Sequence, residues 1–207
     1  TTHNFTYVAG TQYVHSFDKL LFMPSDLTLG GEYNFDGLKD FIIGYDRHFK
    51  QNVRIGSFFF QNEWKNKQWS FLVGGRVDKH HLVDHIIFSP RANLRFNPTE
   101  NVNLRITYAG GFRAPQAFDE DLHVGVVGGE RLVTTLAKNL KEERSNSFSV
   151  SADLYHRFGN VQTNLLIEGF YTDLNNVFAL RQLSQPDAQG NTMQERYNAY
   201  GAKVLGL

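Results

Sequence analysis

The sequence predicts an all-β chain, an antiparallel up-and-down meander of about nine strands. Three observations carry that expectation. Hydrophobicity alternates with period two in run after run, the alternating runs are long, and short and long connections take turns between them.

The alternation is cleanest in four segments. Trp69, Phe71, Val73, Gly75 and Val77 interleave with Ser70, Leu72, Gly74, Arg76 and Asp78. Val102, Leu104, Ile106 and Tyr108 interleave with Asn103, Arg105, Thr107 and Ala109. Phe148, Val150, Ala152 and Leu154 interleave with Ser147, Ser149, Ser151 and Asp153. Val161, Thr163, Leu165, Ile167, Gly169 and Tyr171 interleave with Gln162, Asn164, Leu166, Glu168, Phe170 and Thr172. Successive strand residues point to opposite faces, so each segment has an apolar and a polar side, with Leu166 and Phe170 as apolar exceptions on the polar side. Strands are expected near 4–17, 27–36, 52–64, 68–79, 88–97, 101–112, 146–158, 161–180 and 193–207.

Length and loop parity separate a membrane barrel from a soluble sandwich. Soluble strands cluster near ~5–6 residues. Ten residues tilted by ~45° rise about 23 Å, close to the ~25 Å apolar band of an outer-membrane barrel. The connections Lys65 to Gln68, Asn97 to Asn101 and Phe158 to Val161 are short. Those between them, Lys79 to Ile87, Arg113 to Ser145 and Arg181 to Thr192, are long. Tight periplasmic turns alternating with long extracellular loops produce this parity, and a Greek-key sandwich does not require it. Trp64, Trp69, Phe96 and Phe158 flank the short turns, as rings of an interfacial girdle would. Core aromatics of a sandwich are the plainer alternative, which the loop parity disfavours.

Composition agrees. The 207 residues include 18 Phe, 9 Tyr and 18 Gly but only 5 Pro, with 41% hydrophobic and 20% charged residues, which suits strands and argues against disorder. A net charge of zero offers no nucleic-acid surface, and the absence of cysteine excludes thiol catalysis. No apolar run reaches the ~20 residues of a membrane helix, and no signal peptide opens the sequence.

Gly110-Gly111-Phe112-Arg113-Ala114-Pro115 is followed by Asn139-Leu140-Lys141-Glu142-Glu143-Arg144-Ser145-Asn146-Ser147. The pair resembles the two boxes of TonB-dependent outer-membrane receptors, in which a Phe-Arg-Ala-Pro element ends one strand and an Asn-Leu-Lys-Pro-Glu element opens the next. Glu142 stands where that family usually has Pro. Phe59-Phe60-Gln61-Asn62-Glu63-Trp64, Gly74-Gly75-Arg76-Val77-Asp78 and Ser89-Pro90-Arg91-Ala92 match the family's barrel style, in order. The resemblance implies that residues 1–207 are part, in its C-terminal portion, of a 22-stranded transmembrane β-barrel. It implies a receptor importing an iron chelate, haem, a cobalamin or a similar nutrient. The expected partners are outer-membrane lipid, the nutrient, and the TonB protein, engaged through a plug domain absent from this stretch. The chain is expected to start and stop inside the barrel, so its open strand edges should self-associate. No enzyme activity, cofactor or metal is expected.

Charge placement fits that orientation. Arg76, Asp78, Arg105, Asp153 and Glu168 fall on the polar side, where a wet lumen would receive them. Facing lipid at mid-membrane, each Arg would cost about 2–4 kcal/mol. Arg91 and Arg95 are read the same way. On the outside of a soluble sheet they would be ordinary solvated charges.

Two loop clusters are candidate ligand-binding sites. His80, His81 and His85, among Asp78 and Asp84, could meet a transition metal or an iron ligand, although no established ligand spacing is met and a solvated polar loop is the plainer reading. Asp119, Glu120, Asp121 and His123 lie between the two boxes, and the resemblance makes His123 a candidate haem ligand by position. An acidic loop with an incidental His is the alternative. Gly125-Val126-Val127-Gly128-Gly129 lacks the lysine and βα context of a phosphate loop. His15-Ser16 and His156 are the only hints of hydrolytic chemistry, and nothing arranges a nucleophile, base and orienter. The competing readings are a small outer-membrane barrel enzyme, phospholipase-like, and a soluble β-sandwich that binds glycans.

Overall fold

The structure is a computed structural model describing residues 2–42, 47–115, 132–186, 190 and 192–207. Nine strands form one sheet: β1 (Thr2–Leu20), β2 (Met23–Ile42), β3 (Arg47–Lys65), β4 (Trp69–His80), β5 (Ile87–Thr99), β6 (Val102–Arg113), β8 (Glu143–Phe158), β9 (Val161–Asn175) and β12 (Ala202–Gly206). Every neighbour pair is antiparallel, in the order β1-β2-β3-β4-β5-β6-β8-β9-β12. This is the expected meander.

The remaining strands, β7 (Leu132–Leu136), β10 (Phe178–Gln182) and β11 (Thr192–Asn198), form a separate three-stranded sheet built from the two longest connections. In it β11 pairs antiparallel with β10 and parallel with β7.

From β3 onward the wall strands obey the parity, and the turn between β1 and β2 falls on the tight-turn rim. β1 and β2 are joined by Leu21-Phe22, β3 and β4 by residues 66–68, β5 and β6 by 100–101, and β8 and β9 by 159–160. The other ends carry 81–86, the passage from β6 to β8, and the passage from β9 to β12. Among the described connections, the tight turns therefore lie at one rim of the sheet and the long ones at the other.

Register fixes the two faces. Partner positions run unbroken from Ser16 through Asp26, Glu63, Leu72, Asn93, Thr107, Ser149 and Phe170 to Gly206. Directly paired residues share a face, so this row is one rung of the polar side. On the opposite side Trp64, Phe71, Leu94, Ile106 and Val150 form a continuous apolar rung. Phe148 and Val150 are each 46% exposed and Leu154 37%, so among the described residues nothing covers the apolar side. Among the described residues the buried hydrophobics are Val53, Val83, Ile87 and Ala114, far too few for a sandwich core. One sheet whose apolar face is bare among the described residues is a wall, with an apolar side that has to be covered.

Rings collect at the tight-turn rim. Trp69 stacks on Phe96 at 4.1 Å, Trp64 on Phe71 at 5.8 Å and Phe22 on Trp64 at 5.6 Å. The Trp64 indole N–H donates to the Leu20 carbonyl at 2.9 Å, closing the first hairpin.

Two strand readings are corrected. The segment expected as one strand over 161–180 breaks at Asn176, whose φ of 55° is a left-handed conformation that Asn tolerates. The segment expected over 193–207 divides between the loop strand β11 and the wall strand β12. Here Gly201 passes the Leu174 carbonyl so closely that a Cβ would lie 2.5 Å from its oxygen. The first two strands are also longer than the expected 4–17 and 27–36, because the turn is only Leu21-Phe22, with φ of 64° at Leu21.

Candidate functional site

Two polar assemblies stand out, one on the polar side of the wall and one at the long-connection rim. The first is centred on Arg76. Its guanidinium donates to Asp78 Oδ1 (2.7 Å), Glu32 Oε1 (3.0 Å) and Ser57 Oγ (2.7 Å), while the Ser57 hydroxyl donates to Asp78 Oδ1 at 2.6 Å. Register explains the meeting, because Glu32, Ser57 and Asp78 are successive partners across β2, β3 and β4. Phe59 lies beside Arg76 in the next rung and opposite Gly30. Glycine is required there, since a Cβ at residue 30 would sit 2.2 Å from the Phe59 ring.

The second assembly joins both boxes to the loop sheet. The Glu142 side chain is 7% exposed, and its Oε1 takes the Arg144 Nε at 2.9 Å and meets His85 Nε2 at 3.0 Å. The Glu142 carbonyl accepts from Asn176. Next to it Glu143 Oε2 accepts from Arg113 (3.1 Å) and from the Phe178 backbone N–H (3.0 Å). Arg113 in turn lies 4.9 Å above the Phe178 ring, and buried Arg196 approaches the same ring at 5.9 Å. Asn198 donates to the carbonyls of Lys141 and Asn176 and accepts the Lys141 N–H. Burial pushes the Glu142 carboxyl up, but its own backbone N–H, Arg144 and His85 outweigh burial and hold it below the ordinary glutamate value. The two boxes thus form a clasp that fixes the 81–86 loop and the loop sheet to the rim.

The family-motif residues divide between these elements. Phe112 and Arg113 end β6, Ala114 and Pro115 are buried directly after it, and Asn139 and Leu140 lie in the turn before β8. The three histidines do not converge. His80 is the last residue of β4 rather than part of a loop, and it is fully buried. Its Nδ1 accepts the Leu82 N–H at 3.1 Å. His81 Nδ1 accepts the Arg54 N–H at 3.2 Å, and burial holds its ring below the ordinary histidine value. His85 turns away to Glu142. Among the described residues no three His, Asp or Glu side chains are grouped to hold a metal ion. Asp119, Glu120, Asp121 and His123 lie outside the described residues. Arg76, Asp78, Arg105, Asp153 and Glu168 share one face, since Arg105, Ser151 and Glu168 are successive partners and the others follow in steps of two.

Sequence reasoning missed Phe178, Arg196 and Asn198, which carry no motif and act only through the loop sheet. Glu142 was visible only as a departure from the second box.

The profile of the TonB dependent receptor-like β-barrel family matches residues 1–207. The chain belongs to this family. Its location is accordingly the outer membrane. Solved receptors share the fold. The siderophore receptor PirA from Pseudomonas aeruginosa superposes with a TM-score of 0.79 at 20% identity, over 99% of this chain and 39% of that one. The ferric enterobactin receptor PfeA from the same organism, in complex with enterobactin, gives 0.74 at 20% identity, over 99% and 33%. The outer membrane transporter YddB from Escherichia coli gives 0.68 at 12%, over 99% and 29%. No curated protein sequence matches. Residues 1–207 therefore span about two-fifths or less of these receptors.

Proposed function

We propose that this chain is wall and rim of a TonB-dependent receptor that imports an iron chelate. The observation that carries the reading is the bare apolar face opposite a charged one, on strands whose described tight turns share one rim. Placed in a bilayer, the Phe148/Val150/Leu154 side touches acyl chains, while Arg76, Asp78, Arg105, Asp153 and Glu168 look into the lumen. The clasp then lies at the extracellular mouth, near the His80–His85 segment. Closure into 22 strands, a plug supplied by another part of the protein, and coupling to TonB complete the reading. A siderophore is favoured over haem, cobalamin or a glycan because the structural neighbours PirA and PfeA are siderophore receptors by name.

Binding of a ferric catecholate siderophore, haem, cobalamin and an oligosaccharide to the purified full-length receptor tests this directly. The expected result is tight binding of the ferric siderophore alone, with uptake abolished in cells lacking TonB. Exclusive binding of another class would replace the substrate, and uptake independent of TonB would overturn the mechanism.

A further inference from the structure

On the apolar side, the charges of β2 to β4 carry a single sign. Register assigns each position its face. From Trp64, every second partner pair along β2 and β3 leads outward to Phe35 and Arg54, and then to the direct pair Lys39 and Lys50. Lys79 takes the same side, opposite Gly56. The register-paired carboxylates whose side chains are described, Asp26, Glu32, Asp36, Glu63 and Asp78, all take the other side. Lys39, Lys50 and Arg54 are exposed, and among the described residues none of them enters an ion pair. Lys79 differs, because its ammonium donates to the carbonyls of Val83 and Asp84 at 2.8 and 2.7 Å. Height gives the three free cations a meaning. Arg54 lies ten residues from Trp64 of the tight-turn rim, a rise of about 23 Å at ~45° tilt, which spans nearly all of the ~25 Å apolar band. Lys39 and Lys50 lie four residues farther out. Rings mark the same level. Phe35 and Tyr7 share the rung of Arg54, Phe5 packs on Phe35 at 6.3 Å, and Phe5, Tyr7 and Tyr33 are exposed. Cations just outside a ring band on the lipid side stand at headgroup depth, where the penalty for a lipid-side charge has faded.

We propose that Lys39, Lys50 and Arg54 bind the phosphates of an anionic lipid in the outer leaflet, whose acyl chains run down the side lined by Phe5, Tyr33 and Phe58. Charge complementarity selects the headgroup. Three cations, with no described carboxylate on their side of β2 to β4, suit a multiply charged phosphate rather than a zwitterion. Arg54 can fork onto two phosphate oxygens, while each lysine acts as a point charge. Lys39 and Lys50 are direct partners, so a phosphate between them relieves a like-charge pair. The side selects a lipid over imported cargo, which passes along the opposite face. A soluble anion gains nothing from the exposed rings of Phe5, Tyr7 and Tyr33, whereas an acyl chain covers them. The proposal rests on the apolar side meeting lipid, and adds to that reading a lipid class and a place for it.

The test titrates the full-length receptor in detergent micelles with diphosphoryl lipid A and with the same glycolipid stripped of its phosphates. Native mass spectrometry counts the copies bound. The wild-type receptor should hold the phosphorylated form more tightly. Lys39→Gln, Lys50→Gln and Arg54→Gln should weaken that binding about fivefold for each cation removed. Exchange of the charges in kind, Lys39→Arg, Lys50→Arg and Arg54→Lys together, should preserve it. A control receptor with Lys67→Gln, Arg91→Gln and Arg157→Gln loses as much charge away from this site and should bind as the wild type does. Equal binding of the two glycolipids, an equal loss in the control, or loss in the charge-keeping receptor would each overturn the site. A bimane probe at Val150→Cys reads the underlying orientation separately. Quenching there by brominated acyl chains, with no preference for phosphate, would overturn the lipid site alone, whereas absence of quenching would overturn the membrane face and the site with it.

Discussion

His85 Nε2 lies 3.0 Å from Glu142 Oε1, joining two residues 57 positions apart in sequence. The contact links the loop after β4 to the box that opens β8, and Arg144 shares the same carboxylate oxygen. A proline at position 142 would remove both bonds to the side chain. The departure from the family pattern is therefore what ties this loop to the rim.

Acid should open that tie. The Glu142 carboxyl is depressed in the folded protein, so its contribution is complete above the ordinary value of 4.5 and is lost as pH falls through the lowered folded value. Hydrogen-exchange protection factors of residues 81–86 in the full-length receptor, which correct for the intrinsic pH dependence of exchange, should be unchanged from pH 7 to pH 5 and fall below about pH 4.5. Glu142→Gln should lower the protection at neutral pH and remove its dependence on pH. Loss of protection already between pH 7 and pH 6 would contradict control by Glu142.

Removing the cation from the wall network should cost more than removing its exposed acid. Asp78 is 1% exposed and relies on Arg76 and Ser57, whereas the Glu32 side chain is 34% exposed. Arg76→Met should lower unfolding stability by about 1–3 kcal/mol, since it strands a buried carboxylate. Glu32→Gln should cost under about 1 kcal/mol. Urea titration of the receptor in micelles measures both, and equal losses would contradict the network.

Glycines in the wall are not equivalent. A Cβ at Gly74 would lie 2.4 Å from the Phe60 carbonyl oxygen, whereas one at Gly56 meets nothing within 4 Å. Gly74→Ala should therefore destabilise the β3–β4 pairing by about 1–3 kcal/mol through overpacking, and Gly56→Ala should be close to neutral. Thermal unfolding of the two variants decides the point, and indistinguishable midpoints would refute it.

Adjacent positions on one strand should differ sharply in tolerance for charge. Val150→Arg places a guanidinium on the apolar side and should cost about 2–4 kcal/mol. Ser151→Arg, on the other side, should cost little. Folding yield into lipid vesicles reads the difference, and equal yields would argue against two distinct faces.

Much of the wall was legible in the sequence because a bilayer and a lumen impose opposite polarity on alternate residues. Phe148, Val150 and Leu154 could be assigned to one side from spacing alone, and the structure keeps them there. The rim was less legible. β7, β10 and β11 depend on contacts between the two longest connections, and their segments lack any local signature that would separate them from wall strands. Thus Phe178 read as the end of β9, although Arg113 and Glu143 hold it in the loop sheet. The register that sets Arg95 against Arg105 was likewise hidden, since it depends on a bulge between Phe96 and Thr99 that no hydrophobicity pattern reveals.

The account stands or falls on which side of the strands meets lipid. Spin labels placed one at a time from Ser147 to Ser151 in the full-length receptor, reconstituted in bilayers, report contact with dissolved oxygen, which concentrates among acyl chains. High oxygen collision rates at positions 148 and 150, with low rates at 147, 149 and 151, are the expected result. A uniform profile, or one with its maxima at the serines, would contradict the membrane-wall reading.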